Sequence, residues 1–179
     1  MEICGRYQSD KPGGGTYEFT SFTTYFAEYQ LPKLSDSFSM VESALAEHGI
    51  TYKLDLVKRY MIVITNERTK DPDMIHRARE LIRLLSKTDV SPSMAIEILN
   101  GNLHHDFIKT GHQDGGLSKI HGISDERFAK RRNRFVKNLK GNSVTAAGTS
   151  LVHVKVVRKI VERCFVDNVN PAAVVKSLN

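Results

Sequence analysis

Between Asp71 and Leu85 the chain encodes a helix that cannot stand alone. Met74, Ile75, Ala78, Leu81, Ile82 and Leu85 recur at the spacing of one helical face, with Arg77, Arg79, Glu80 and Arg83 interspersed. A stripe of this kind must be buried against another layer. Asp71-Pro72 opens the segment. Aspartate accepts from the free amides of a first turn, and proline is preset for the first helical position. The preceding residues supply the cover. Phe19 to Phe26, rich in aromatic residues and threonine, predicts a strand. Leu34 to His48 predicts a helix with Phe38, Val41, Ala44 and Leu45 on one face and Gly49 as its stop. Ile50 to Asn66 predicts two strands joined by a tight turn near Lys58-Arg59-Tyr60, and Ser91-Pro92 starts a short helix through Leu99. The order strand, helix, strand, strand, helix, helix describes an α+β unit with helices on one side of a small sheet.

The spacing predicts a smaller α+β unit in the second half. Asp106 to Lys109 is a short strand, followed by a Gly- and His-containing loop from Gly111 to Ser124. Asp125 to Lys137 is helical and Asn142 to Ala147 a strand. Thr149 caps a long helix to about Phe165, with Leu151, Val154, Val157, Val161, Cys164 and Phe165 as its buried stripe, and Asn170-Pro171 starts a last short helix. Residues 1–18 are expected to form a flexible arm, because Lys11-Pro12-Gly13-Gly14-Gly15 supports neither helix nor strand. The glycines are not followed by Gly-Lys-Ser/Thr, so they make no phosphate loop. The domain reading is an arm at 1–18 and units at 19–100 and 101–179.

A net charge of +6 and a pI near 9.3 call for a polyanionic partner, nucleic acid or a membrane surface. No apolar run is long enough to span a bilayer, and Met1-Glu2-Ile3-Cys4-Gly5 lacks the organisation of a signal peptide. An intracellular protein without a membrane partner is expected. Cys4 and Cys164 stand at opposite ends and suggest neither a disulfide framework nor a zinc knuckle.

The strongest local signal runs from Asp125 to Lys137. At about 100° per residue, Phe128, Ala129, Phe135 and Val136 share one arc. Arg127, Lys130, Arg131, Arg134 and Lys137 share the opposite arc, and Lys140 continues past the helix end. These six are the candidate RNA-binding residues, since each cation can neutralise a phosphate and release a counterion. A solvated helix face is the competing explanation. Arg132 falls within the apolar arc, where it must either extend its head to solvent or meet a buried carboxylate. His104, His105, His112 and His121, with Asp106 and Asp114, do not match zinc-ligand spacings, so no metal is expected. No nucleophile elbow, His-Glu-x-x-His or dinucleotide fingerprint is present. The reading is therefore of a non-enzyme with no cofactor and no small-molecule substrate.

Several collinear stretches carry a family resemblance. They include His48-Gly49-Ile50, Leu54-Asp55-Leu56-Val57, Thr69-Lys70-Asp71-Pro72 and Ala78 to Ser86. Further along come Asp106 to Gly111, Glu126 to Arg132 with its Lys-Arg-Arg, Gly141 to Gly148, and Val156 to Cys164. Together these resemble the KRR-motif component of the small-subunit processome, a tandem KH assembly factor. The resemblance implies two KH-like units, each a small antiparallel sheet packed on helices, with a degenerate first unit serving protein contacts. It also implies a nuclear, nucleolar ribonucleoprotein acting in ribosome biogenesis and small-subunit rRNA processing. The implied partners are pre-rRNA and other processome proteins. The sequence departs from the family in its second unit. No two glycines stand three apart, so the Gly-x-x-Gly loop with which a KH domain grips single-stranded RNA is missing. The helix and strand expected after that loop are missing too, which marks the second unit as truncated. An RNA-contacting assembly factor and a protein-only scaffold inside the pre-ribosome both remain open at this point.

Overall fold

The computed structural model describes residues 2–135 and 143–177. The chain divides into two compact units, Met1–Gly101 and Asn102–Asn179.

In the first unit, β1 (Glu2–Asp10) and β2 (Thr16–Tyr25) form a hairpin. The helices α1 (Leu31–Asp36) and α2 (Phe38–Glu47) follow, then β3 (Ile50–Asp55), β4 (Tyr60–Thr65), α3 (Met74–Lys87) and α4 (Pro92–Leu99). The strands form one antiparallel sheet in the order β1-β2-β4-β3. Strand alternation sorts the two faces. Phe22, Tyr52, Met61 and Val63 turn inward and are buried. Phe22 meets His76 and Arg79 of α3, and Tyr52 stacks on Phe38 of α2. From the helix side, Leu81, Ile82 and Leu85 complete the core, all essentially inaccessible.

Residues 2–10 do not form the expected flexible arm. They form a strand paired with β2 from Glu2↔Thr24 to Asp10↔Thr16. The Lys11–Gly15 segment does interrupt regular structure, but as the turn of a hairpin. Gly13, Gly14 and Gly15 take φ values of 98°, 101° and 90°, and Lys11 N donates to Gly15 O at 2.9 Å. Glycine reaches that region without steric cost. At the far end of the strand, Glu2 is held by two hydrogen bonds from Arg79, at 2.6 and 2.9 Å.

Two helix boundaries also differ from expectation. The 34–48 segment is broken at Ser37, whose hydroxyl donates to Lys33 O at 2.7 Å and competes with the backbone ladder. α3 begins at Met74 rather than beside Pro72. Asp71 Oδ1 accepts from Asp73 N at 2.9 Å, closing a separate turn first. Gly49 ends α2 for a steric reason as well. Its φ is 72°, and a Cβ there would lie 2.5 Å from the backbone of Arg68 and Thr69.

The second unit contains β5 (His104–Lys109), α5 (Leu117–Ile120), α6 (Asp125–Phe135), β6 (Ser143–Gly148), α7 (Leu151–Val166) and α8 (Pro171–Lys176). β5 and β6 pair antiparallel as a two-stranded sheet. Ile108, Leu117, Ile123, Phe128, Ala146, Val154, Val161 and Phe165 make its core. Cys164 is buried, while Val157 is 41% and Leu151 46% exposed, contrary to the expected stripe. Val154 and Val161, on either side of Val157, are buried, so the narrow two-stranded sheet covers only a strip of the helix face and leaves Val157 at its margin. The cap is also one residue later than expected: Ser150 occupies it, with no side-chain hydrogen bond. Arg158 fastens α7 to β5 through two hydrogen bonds to Asp106, at 2.7 and 2.8 Å.

Candidate nucleic-acid interface

The candidate surface is built on α6, and Phe128 fixes how that helix lies. Its ring is 7% exposed, edge-on to His112 at 5.8 Å and tilted on Phe165 at 5.9 Å. With Phe128 held inward, about 100° per residue turns Lys130 away from it and puts Arg127 and Arg134 on the flanks, while Arg131 stands only about 60° round the helix from it. Asp125 and Glu126 occupy the first turn, where the positive end of the helix dipole favours them.

The four described cations are not equivalent. Arg127 is exposed, and its side chain has no ion pair or hydrogen bond among the described residues. Lys130 is exposed and meets Glu126 at 2.7 Å, one turn earlier. An exposed pair of that kind is weak and yields to a phosphate at little cost. Arg131 is half-buried. Its Nη1 donates to Phe165 O and, at 3.2 Å, to Val166 O. Those carbonyls belong to the last turn of α7, where a helix has no acceptors' partners of its own and favours a cation. Arg134 Nη1 donates to Asn168 O at 3.3 Å and Oδ1 at 3.0 Å. The charged face therefore has an outward part, Arg127 and Lys130, and a clamp on the end of α7, Arg131 and Arg134. Lys137 and Lys140 lie outside the described residues, as does the side chain of Phe135.

Arg132 answers the question its position raises. Its guanidinium lies 5.8 Å from the centroid of the Phe128 ring, a cation–π contact, and no carboxylate meets it among the contacts described. Its Nε is buried without a hydrogen-bond partner among the described residues.

Charge is divided unevenly between the units. Residues 102–179 hold 14 of the 26 basic and six of the 20 acidic side chains, a net charge of +8. The remaining 12 basic and 14 acidic side chains give the first unit −2. A whole-chain charge conceals this contrast, and counting by unit would have revealed it. Beside α6, His112 has structural partners. His112 makes a 2.6 Å hydrogen bond with Ile123 O through Nε2 and meets Asp125 at 3.1 Å through Nδ1. Among the described residues no group of three or more His, Cys, Asp or Glu side chains could hold a metal ion.

Comparison with known proteins agrees with this architecture. Residues 20–101 match the family described as the Krr1 KH1 domain. Among solved structures, the chain is similar to a chain of the a/eIF2alpha–aDim2p–rRNA complex from Pyrococcus horikoshii OT3. That match has 13% identity and a TM-score of 0.61, over 89% of this chain and 92% of that one. It is similar to a protein of unknown function from Aeropyrum pernix, with 13% identity, a TM-score of 0.65 and 88% of each chain covered. Dim2p from Pyrococcus horikoshii OT3 matches with 14% identity and a TM-score of 0.54, over 80% of this chain and 89% of that one. The fold is thus a mixed α+β arrangement of KH type, with antiparallel sheets packed on helices.

Proposed function

We propose that this chain is an RNA-binding ribosome assembly factor that contacts small-subunit pre-rRNA through the outward cations of its second unit. The observation that carries the reading is the concentration of charge. A unit of net charge +8 presents Arg127 and Lys130 on a helix face whose opposite side is locked into the core by Phe128. Cations so arranged suit a phosphate backbone and carry no means of reading bases. Two comparisons support the assignment to ribosome assembly: the match of residues 20–101 to the Krr1 KH1 domain, and the likeness to a chain from a complex that contains rRNA. Membership of the small-subunit processome and a nucleolar location belong to the proposal, as do processome proteins as partners. No catalytic step, cofactor or small-molecule substrate enters it.

Without a Gly-x-x-Gly clamp, the second unit holds RNA by charge and shape, and neighbouring proteins supply the remaining affinity. Cross-linking of RNA to the protein in purified pre-ribosomal particles tests this. Cross-links at α6, lost together with particle association when Arg127 and Lys130 are changed to Glu, are the expected result. Unchanged association would leave these residues as a solvated face and favour a protein-only scaffold.

A further inference from the structure

The four-stranded sheet of the first unit has a second face. The buried alternation Phe22, Tyr52, Met61, Val63 lies under the helices, so the intervening residues point the other way. On β2 these include Tyr17 and Phe19, whose rings stack at 5.9 Å with 21° between their planes. Tyr7 of β1 stands directly opposite Phe19 and is 58% exposed. Its ring lies back over Gly5: a Cβ at Gly5 would come within 3.0 Å of Tyr7 Oη and 2.7 Å of Ser21 Oγ. Glycine at that position allows the tyrosine to lie along the sheet. A cleft of 410 Å³ opens beside Phe19, lined by Ile64, Thr65, Asn66, Glu67 and Arg68.

Three cations edge this face, although Asp55 of β3 and Glu67 at the cleft share it and the unit as a whole is slightly acidic. Lys11 Nζ is 4.7 Å from the centroid of the Tyr17 ring. Lys53 of β3 is exposed and alternates with inward Tyr52, and Arg68 edges the cleft. Small polar side chains, Ser21, Thr23 and Thr51, interrupt the apolar surface between the rings and the far edge. An exposed ring, Tyr7, beside the half-buried rings of Tyr17 and Phe19, with cations at the margin of an open antiparallel sheet backed by helices, suits unstacked nucleobases. Every base has a π-face to stack, and the cations meet the phosphates.

We propose that this face is a stacking platform for single-stranded RNA, with bases on Tyr7 and Phe19 and phosphates near Lys53 and Arg68. The site belongs to the first unit, whereas α6 belongs to the second. It rests on the proposed RNA-binding function while adding a different mode of contact, base stacking, which is insensitive to sequence; Lys53 and Arg68 add to the salt dependence. The test uses the full chain and a fluorescent oligouridylate, titrated at several salt concentrations. The double variant Tyr7→Ala, Phe19→Leu should weaken binding roughly five- to hundredfold, the range for loss of base–aromatic stacking, with the salt slope unchanged. Tyr7→Phe should bind as the native protein does, because it keeps the ring. Unchanged affinity in a double variant with native circular dichroism overturns the proposal and leaves the face for a protein partner. An equal loss in Tyr7→Phe also overturns it, since the hydroxyl rather than the ring would then be responsible. If Arg127 and Lys130 variants flatten the salt slope while Tyr7 and Phe19 variants change nothing, this site alone fails. If the native chain binds no oligonucleotide at all, the RNA-binding function fails with it.

Discussion

The guanidinium of Arg131 is bound to the carbonyl oxygen of Phe165, 34 residues along the chain, and joins α6 to the C-terminal end of α7. A residue expected to face phosphate is therefore also part of the fold. Arg131→Ala should lower stability by about 1.5–3 kcal/mol, the range for hydrogen bonds to a charged partner. Arg127→Ala, with no partner to lose among the described residues, should stay within about 0.5 kcal/mol of the native protein. Denaturant unfolding monitored by circular dichroism separates the two. Equal effects would contradict the division of the helix face into a clamp and an outward part.

Leu81 is 1% exposed under the first sheet. Leu81→Ala should cost about 2–5 kcal/mol, the loss of buried methyl groups plus the cavity left behind. Thermal unfolding would show a lowered midpoint, and a change too small to resolve would place Leu81 outside the core.

How far the sequence anticipates this structure depends on the physical signal at each place. The face containing Leu81, Ile82 and Leu85 is legible because every one of these positions is buried. On α7 the same period names Val157, which is exposed because periodicity reports a face and not how much of it the neighbouring sheet covers. β1 escapes notice because its few apolar residues, Ile3 and Tyr7, remain exposed and its turn consists of glycines that also signal disorder. The cationic arc of α6 follows from spacing alone. The clamp made by Arg131 and Arg134 depends on where the end of α7 lies in space, which no local pattern contains.

The Glu2–Arg79 pair gives the first unit a pH-dependent contribution. The hydrogen bonds from Arg79 hold the Glu2 carboxyl below its ordinary value, against partial burial, which opposes the shift. A carboxylate with a depressed folded pKa stabilises the protein fully above its unfolded value, about 4.3 for glutamate. That contribution is lost as pH falls through the folded value. Glu2→Gln should therefore be less stable than the native protein near pH 7, by at most about 1 kcal/mol for a pair this exposed. The gap should close in acid, below about pH 4. Unfolding free energies of both proteins across pH 3–7 check it, and a gap that widened toward acid would have the wrong sign.

The central claim is that Arg127 and Lys130 of α6 neutralise RNA phosphates. Its most direct test is the salt dependence of binding to single-stranded RNA of several sequences, for the native chain and for the variant Arg127→Gln, Lys130→Gln. Each phosphate contact removed should reduce the slope of log K against log salt by about 0.7, so the pair should flatten it by roughly 1.4, equally for every sequence. A variant that retains the native slope would contradict the account and leave the charged face of α6 as solvated surface.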